Sequence, residues 1–323
     1  MVNSVPLQAG ARTALALGFL IATSAVTHAA VQADVANATE VAESVADEEA
    51  VSDEVPPDRS GKLLLTGGVT QIEGSAGGGL TPWAVIAGYG TRDQIGGNAF
   101  YTRVELDDYR LDSFGVAVGI HDRVELSVAK QTLDTQNVGA ALGLGAGFTI
   151  SQDIYGVKVK LVGDAVVDQD RWLPQISVGL QHKHNNRGGL LAAIGAGDNV
   201  GTDFYVSATK LLLEHSLLLN GTLRYTEANQ LGLLGFGGDR RDGHRLQYEG
   251  SAALLLSRKL AVGAEFRSKP DNLNIADEEA AWDVFVAWAP TKQVSLTVAY
   301  VDLGNVVIAD NQRGLYASLQ VGF

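Results

Sequence analysis

The sequence predicts an all-β protein: an antiparallel transmembrane β-barrel of the outer-membrane type, with fourteen strands as the best count. Three observations carry that expectation. From Gly61 onward, apolar residues alternate with polar or small ones in segments of about ten residues, the length of a tilted membrane strand. The links between segments alternate between tight and long. Aromatic residues gather at segment ends on the apolar face.

The amino terminus comes first. Arg12 closes a short basic region, "TALALGFLIATSAV" (13–26) is apolar, and "THA" (27–29) offers small residues for cleavage after Ala29. This is the form of an export signal over residues 1–29, with an alternative end at residue 33 after "VQA". A fourteen-residue stretch is too short for a helical span, which needs roughly 20. Residues 30–60 follow as an acidic tether. Positions 34–59 hold nine carboxylates and one arginine, without an aromatic residue to offset the entropy of ordering. Residues 61–323 form the expected barrel, with 28 acidic and 22 basic side chains over 60–323. No basic patch is present, so nucleic acid is not an expected partner. Cysteine is absent, which removes disulfides and thiolate chemistry.

The strand segments are "KLLLTGGVTQI", "PWAVIAGYG", "AFYTRVEL", "DSFGVAVGI", "RVELSVAKQ", "IYGVKVKLV", "PQISVGLQHK", "DFYVSATKL", "SLLLNGTLRYT", "RLQYEGSAALLL", "LAVGAEFRS", "AWDVFVAWA", "QVSLTVAYV" and the closing "RGLYASLQVGF". Alternation is thinnest in the first three. A twelve-strand alternative therefore treats 61–90 as an irregular or plug-like N-terminal region. Tight links fall at 120–123, 213–216, 257–259 and 290–292, with a longer one at 168–173; long segments cover 134–152, 184–201, 227–244, 268–280 and 304–312. Short turns on one rim and long loops on the other are the outer-membrane arrangement, with both termini on the periplasmic side. Tyr155, Phe204, Tyr225, Tyr248, Phe266, Trp282, Trp288 and Tyr300 form the expected interfacial girdle. Phe323, apolar and aromatic at the end of an alternating strand, has the form of a signal for the outer-membrane assembly machinery.

The stretches "GGVTQIEGSAGGGLTPWAVIAGYGTRDQIG" (67–96), "HDRVELSVAKQTLDT" (121–135), "DQDRWLPQISVG" (168–179), "GLLGFGGD" (232–239), "KPDNL" (269–273) and "AYVDLG" (299–304) resemble a family of proteobacterial envelope proteins. That family is known as a domain of unknown function grouped with outer-membrane β-barrels. The resemblance covers 61–323 and implies fold and location, without an activity.

Register places Glu125, Lys158, Lys160, Gln181, Arg224, Glu249, Glu265 and Asp283 in the lumen. Both signs occur there, so two readings stand: a salt-bridged interior that holds the barrel closed, or a polar pore with weak charge selectivity. "HKH" (182–184) has two imidazoles on one face but no acidic neighbour, too little for a metal site. "GAALGLGAGF" (139–148) lacks the strand–turn–helix context of a dinucleotide loop. The apolar loop "RGGLLAAIGAGDNVG" (187–201) either constricts the lumen or extends the wall. No hydrolase or nucleotide motif is present, so no catalytic residue, cofactor or metal is expected. The functional expectation is a passive or weakly selective channel for small solutes. The alternative is a non-conducting structural or interaction barrel, and a lipid- or lipopolysaccharide-modifying enzyme comes third. Expected partners are outer-membrane lipid and lipopolysaccharide, the assembly machinery, and a periplasmic partner for the 34–60 tether.

Overall fold

The structure, a computed structural model, describes residues 62–67 and 69–323. The expected export signal and acidic tether lie outside the described residues. Twelve strands run in order: β1 (Ile95–Leu106), β2 (Arg110–Ile120), β3 (Val124–Asp134), β4 (Thr149–Val162), β5 (Gln175–Asn185), β6 (Val200–Leu212), β7 (Leu217–Thr226), β8 (Arg245–Ser257), β9 (Leu260–Arg267), β10 (Ala281–Trp288), β11 (Val294–Asp302) and β12 (Arg313–Gly322). Each pairs antiparallel with the next, and β12 pairs with β1 to close the barrel. Closure leaves no unpaired sheet edge, which a lipid environment demands.

The best count of fourteen is therefore corrected to twelve. "KLLLTGGVTQI" and "PWAVIAGYG" are not wall strands; residues 62–94 are a plug inside the barrel, where almost every residue from Leu65 to Gly90 is buried. The physical reason lies in where the backbone finds its partners. The plug's own turns and isolated bridges satisfy part of its peptide groups, and wall side chains, rather than a neighbouring strand, satisfy others. Gln320 accepts from the Thr70 N–H at 2.7 Å, and Ser113 and Gln131 donate to the Ile72 carbonyl at 2.6 and 2.8 Å. Further along, Gln175 donates to the Ala84 carbonyl at 2.6 Å and Thr222 to that of Pro82 at 2.9 Å. A buried peptide group needs a partner, and a polar wall can supply one without a strand ladder. Glycine permits the close approach. A Cβ on Gly88, which has φ +77°, would lie 2.2 Å from the Gly97 nitrogen at the foot of β1.

Alternation fixes the two faces of the wall. Val116, Val128, Val157, Val206, Leu223, Val284, Val298 and Leu319 project outward and are exposed. A continuous apolar band of this kind suits lipid, not water. The eight girdle aromatics also point outward, and several touch: Tyr248 stacks with Phe266 at 6.0 Å, and Trp282 tilts against Tyr300 at the same distance. Tyr101 and Phe114 are exposed on the same face. Just beyond them toward the long-loop rim, Arg103 pairs with Asp112 at 2.8 Å, Arg110 with Glu105 at 2.8 Å and Lys130 with Asp153 at 2.9 Å. Charge on the outer wall marks where the apolar band ends. Two links depart from the sorting of turns: Asp107–Tyr109 joins β1 to β2 tightly at the rim that otherwise carries long loops, and residues 163–174 join β4 to β5 by a long connection at the short-turn rim.

At that rim the loops fold over the mouth. Residues 187–201, expected either to constrict the lumen or to extend the wall, contain a short helix (Gly188–Ala193) that belongs to a cap. Its Leu191 packs with Ala196, Leu234, Leu273 and Ala276. The segment that enters the lumen is instead Asn229–Phe236, which is buried throughout.

Candidate functional site

Among the described residues, three buried charged centres join the plug to the wall. All eight residues assigned to the lumen by register are at least 92 % buried. They do not form one site, and the structure adds residues that register alone did not single out.

The largest centre surrounds Glu73 on the plug. Its carboxylate meets Arg267 of β9 through two nitrogens, Nη1 at 2.7 Å and Nη2 at 3.2 Å, and pairs with Lys183 of β5. Arg224 of β7 brings Nη2 to 3.6 Å. The strands between supply carboxylates: Asp203 of β6 lies 2.7 Å from Lys183 and 3.2 Å from Arg224, and Glu249 of β8 lies 2.5 Å from the Arg224 Nε and 3.4 Å from the Arg267 Nε. Cations on alternate strands thus face carboxylates on the strands between them. Gln181 accepts from Arg224 Nη1 at 2.7 Å, and the Arg224 guanidinium lies 5.3 Å from the Tyr205 ring centre. Lys183 also donates to the Leu231 carbonyl at 3.0 Å, so the plug and the inward loop meet at this lysine.

The second centre is Glu125 of β3 with Lys158 of β4, 3.1 Å apart and both fully buried. Glu125 accepts from Ser75 Oγ (2.8 Å), the Ala76 N–H (3.0 Å) and the Ala87 N–H (2.8 Å), while Lys158 donates to the carbonyls of Ala76 and Val85. A buried pair is tolerable only when its remaining lone pairs and protons are used, as here. Nearer the short-turn rim, Lys160 and Lys62 share Asp122. Burial pushes the Lys62 ammonium below its ordinary range, against the pull of the Asp122 carboxylate.

The third centre holds two carboxyl groups side by side in register, Glu265 of β9 and Asp283 of β10. Glu265 accepts from the Leu80 N–H at 2.6 Å, Thr81 Oγ1 at 2.6 Å and Ser251 Oγ at 2.7 Å. No side chain among the described residues donates to Asp283. The plug passes directly over this pair: a Cβ on Gly78 would sit 2.0 Å from the Glu265 Oε1. Beside it, Val69, Trp83, Ala253, Phe285 and Tyr316 enclose an apolar cavity of about 30 Å³ between plug and wall.

Lys183, Asp203, Arg267 and Glu73 were missed by sequence reasoning. For three of them a signal existed. Lys183 stands two residues beyond Gln181, Arg267 two beyond Glu265, and Asp203 faces Gln181 across the β5–β6 pair. Glu73 gave none, because a fourteen-strand reading places it in a turn. The imidazoles of His182 and His184 point outward on either side of the buried Lys183, and His182 meets Thr202 Oγ1 at 2.9 Å. Among the described residues, no group of three or more side chains is arranged to hold a metal ion.

A closed antiparallel barrel with an apolar outer band, aromatic girdle and polar, ion-paired interior defines an outer-membrane β-barrel protein. The chain belongs to the family described as "Protein of unknown function (DUF3034)", whose pattern matches residues 66–320. No curated protein matches the chain. Among solved structures it is similar to the KdgM porin in complex with disordered oligogalacturonate, at 10 % identity and a TM-score of 0.45, over 70 % of this chain and 99 % of that one. It is also similar to the NanC porin, at 11 % identity and 0.44, over 71 % and 98 %. The outer membrane protein Omp33 of Acinetobacter baumannii gives 10 % identity and 0.43, over 72 % and 100 %. None of these likenesses bears on what the chain does.

Proposed function

We propose that this protein is a channel for small solutes held shut by its own N-terminal segment, and that it opens when residues 62–94 move. The observation that carries the reading is the chemistry of the wall behind the plug. Thr102, Ser113, Ser127, Gln131, Gln152, Ser177, Gln181, Ser207, Thr209, Thr222, Thr297 and Ser318 line it together with the charged centres. That surface is the lining of an aqueous lumen, whereas a permanent core is built more stably from apolar side chains. In this reading the chain is exported by its signal, the short-turn rim faces the periplasm, and the tether leads from the plug toward a periplasmic partner. Phe323 serves as the assembly signal, and the outer band meets outer-membrane lipid and lipopolysaccharide.

A second reading rests on a specific observation. Leu65, Val69, Ile72, Leu80 and Trp83 of the plug share an apolar cluster with Phe285, Ala287 and Tyr316 of the wall, which favours a permanently sealed structural barrel.

One experiment separates the two. Thr81 Oγ1 and Ser251 Oγ are 2.5 Å apart across the plug–wall boundary, and the chain has no cysteine of its own. A Thr81→Cys, Ser251→Cys variant can therefore be locked and released by oxidation and reduction. In planar bilayers the reduced protein should show discrete conductance steps, and the oxidised protein none. Silence in both states, and in a Glu73→Gln variant, would establish the sealed barrel instead.

A further inference from the structure

We infer that the Lys183–Arg224–Arg267 cluster is a binding site for the carboxylate of a small organic acid, and that Glu73 occupies it as a built-in stand-in. The inference deepens the channel reading and rests on it, since a solute reaches the cluster only when the plug yields.

Charge balance is the first argument. Three cations face Asp203, Glu249 and Glu73. Withdrawing Glu73 leaves three cations against two wall carboxylates, one positive charge in excess. A single carboxylate restores neutrality. A phosphate dianion overshoots it, and would lie beside Asp203 and Glu249 as well.

Geometry is the second. Arg267 presents two nitrogens to Glu73 as a fork, the arrangement suited to a planar carboxylate. Arg224 Nη2 is buried and makes no hydrogen bond, although it lies on the Glu73 side at 3.6 Å. The cluster thus offers one donor more than its resident carboxylate uses. A buried guanidinium nitrogen left without an acceptor is costly, so a ligand that reaches it binds better than the tethered Glu73 does.

The groups around the carboxylate form the third argument. Gln181 donates to the Glu73 carbonyl at 3.4 Å, Ser113 and Gln131 donate to that of Ile72, and the Tyr205 hydroxyl meets Ser75 Oγ at 3.0 Å. These side chains hold the plug's peptide groups and hydroxyl in the closed state. Once the plug leaves, they are free for polar groups next to a ligand's carboxylate. Ligand and plug therefore compete for the same wall, and a bound ligand adds to the population of the open state that the unlocked plug already visits.

The test uses the full chain in detergent micelles, with sodium gluconate as the probe and sorbitol as its uncharged counterpart, read by titration calorimetry. Glu73→Gln should bind gluconate at least tenfold more tightly than the wild type, because the internal competitor is gone. Glu73→Asp, which keeps the charge on a shorter arm, should fall between and covers the case in which the glutamine variant does not fold. Adding Arg267→Gln should abolish binding, and sorbitol should bind to none of them. Equal affinity in wild type and both Glu73 variants, binding that survives Arg267→Gln, or displacement by an equal concentration of chloride would each overturn the inference. Failure of the channel reading looks different: gluconate binds, yet the reduced cysteine pair never conducts. Conductance without gluconate binding removes the carboxylate site alone.

Discussion

Arg267 holds Glu73 through two nitrogens at 2.7 and 3.2 Å, although 194 residues separate them in sequence. The contact ties the long-loop end of β9 to the plug and makes the interior charges interdependent. Removing either partner leaves the other buried with fewer counter-charges, Lys183 and Arg224 for Glu73 and Glu249 for Arg267, at a cost of up to about 3–5 kcal/mol. Glu73→Gln and Arg267→Gln should each lower the urea midpoint of unfolding in micelles. The double variant should cost clearly less than the sum of the two, since the groups share one network. Strict additivity would show that the pair is not coupled.

Packing over the Glu265–Asp283 pair gives a second expectation. A methyl group at Gly78 would meet the Glu265 carboxylate at 2.0 Å, so Gly78→Ala must push the plug or the side chain aside. The expected cost is about 1–3 kcal/mol. Gly221→Ala in β7, where a Cβ meets nothing within 4 Å, serves as the control and should change stability by no more than about 0.5 kcal/mol. Equal effects at both positions would contradict the close approach of plug to wall.

Tyr109, in the tight link between β1 and β2, donates to the Val306 carbonyl at 3.0 Å and pins one long-rim loop to another. Burial pushes its hydroxyl up to about 12. A raised folded value means that this contribution is fully present below the ordinary tyrosine range near 10 and is lost as pH rises through about 12. Proteolysis of the 303–312 loop should therefore accelerate between pH 10 and 12 in the wild type. Tyr109→Phe should show faster cleavage already at pH 8 and a flatter alkaline rise. A variant with the wild-type pH profile would remove this tie.

Phe323 projects outward beside Gly97 at the β1–β12 seam, and its backbone exchanges hydrogen bonds of 2.9 Å with Gly97 in both directions. Phe323→Ser keeps those backbone bonds while removing the ring. Reduced recovery of folded protein in outer-membrane fractions is the expected result. Unchanged recovery would mean that the ring carries no assembly information.

Strand positions and their facing were legible because a half-buried strand writes its two environments into alternate residues; Glu125, Arg224 and Asp283 follow directly from that period. The plug was not. "KLLLTGGVTQI" carries enough apolar residues to pass for a strand, and its true partners are side chains such as Gln320 and Ser113, scattered along the chain without local pattern. Glu73 became visible only when β5, β7 and β9 were brought around it. The inward turn of Asn229–Phe236 was hidden for the same reason: its partners, Gln152, Lys183 and Asn185, sit on other elements.

The hydrogen bonds between Thr70 and Gln320 join residues 250 positions apart, at the strand that closes the ring against β1. Contacts of such separation form late in folding, because the intervening chain must first be organised. The wall group that anchors the plug near Thr70 is thus delivered by the final hairpin. A nascent barrel stalled before β12 docks would therefore be open at the seam and would lack this one anchor, with the plug held only by the strands already in place.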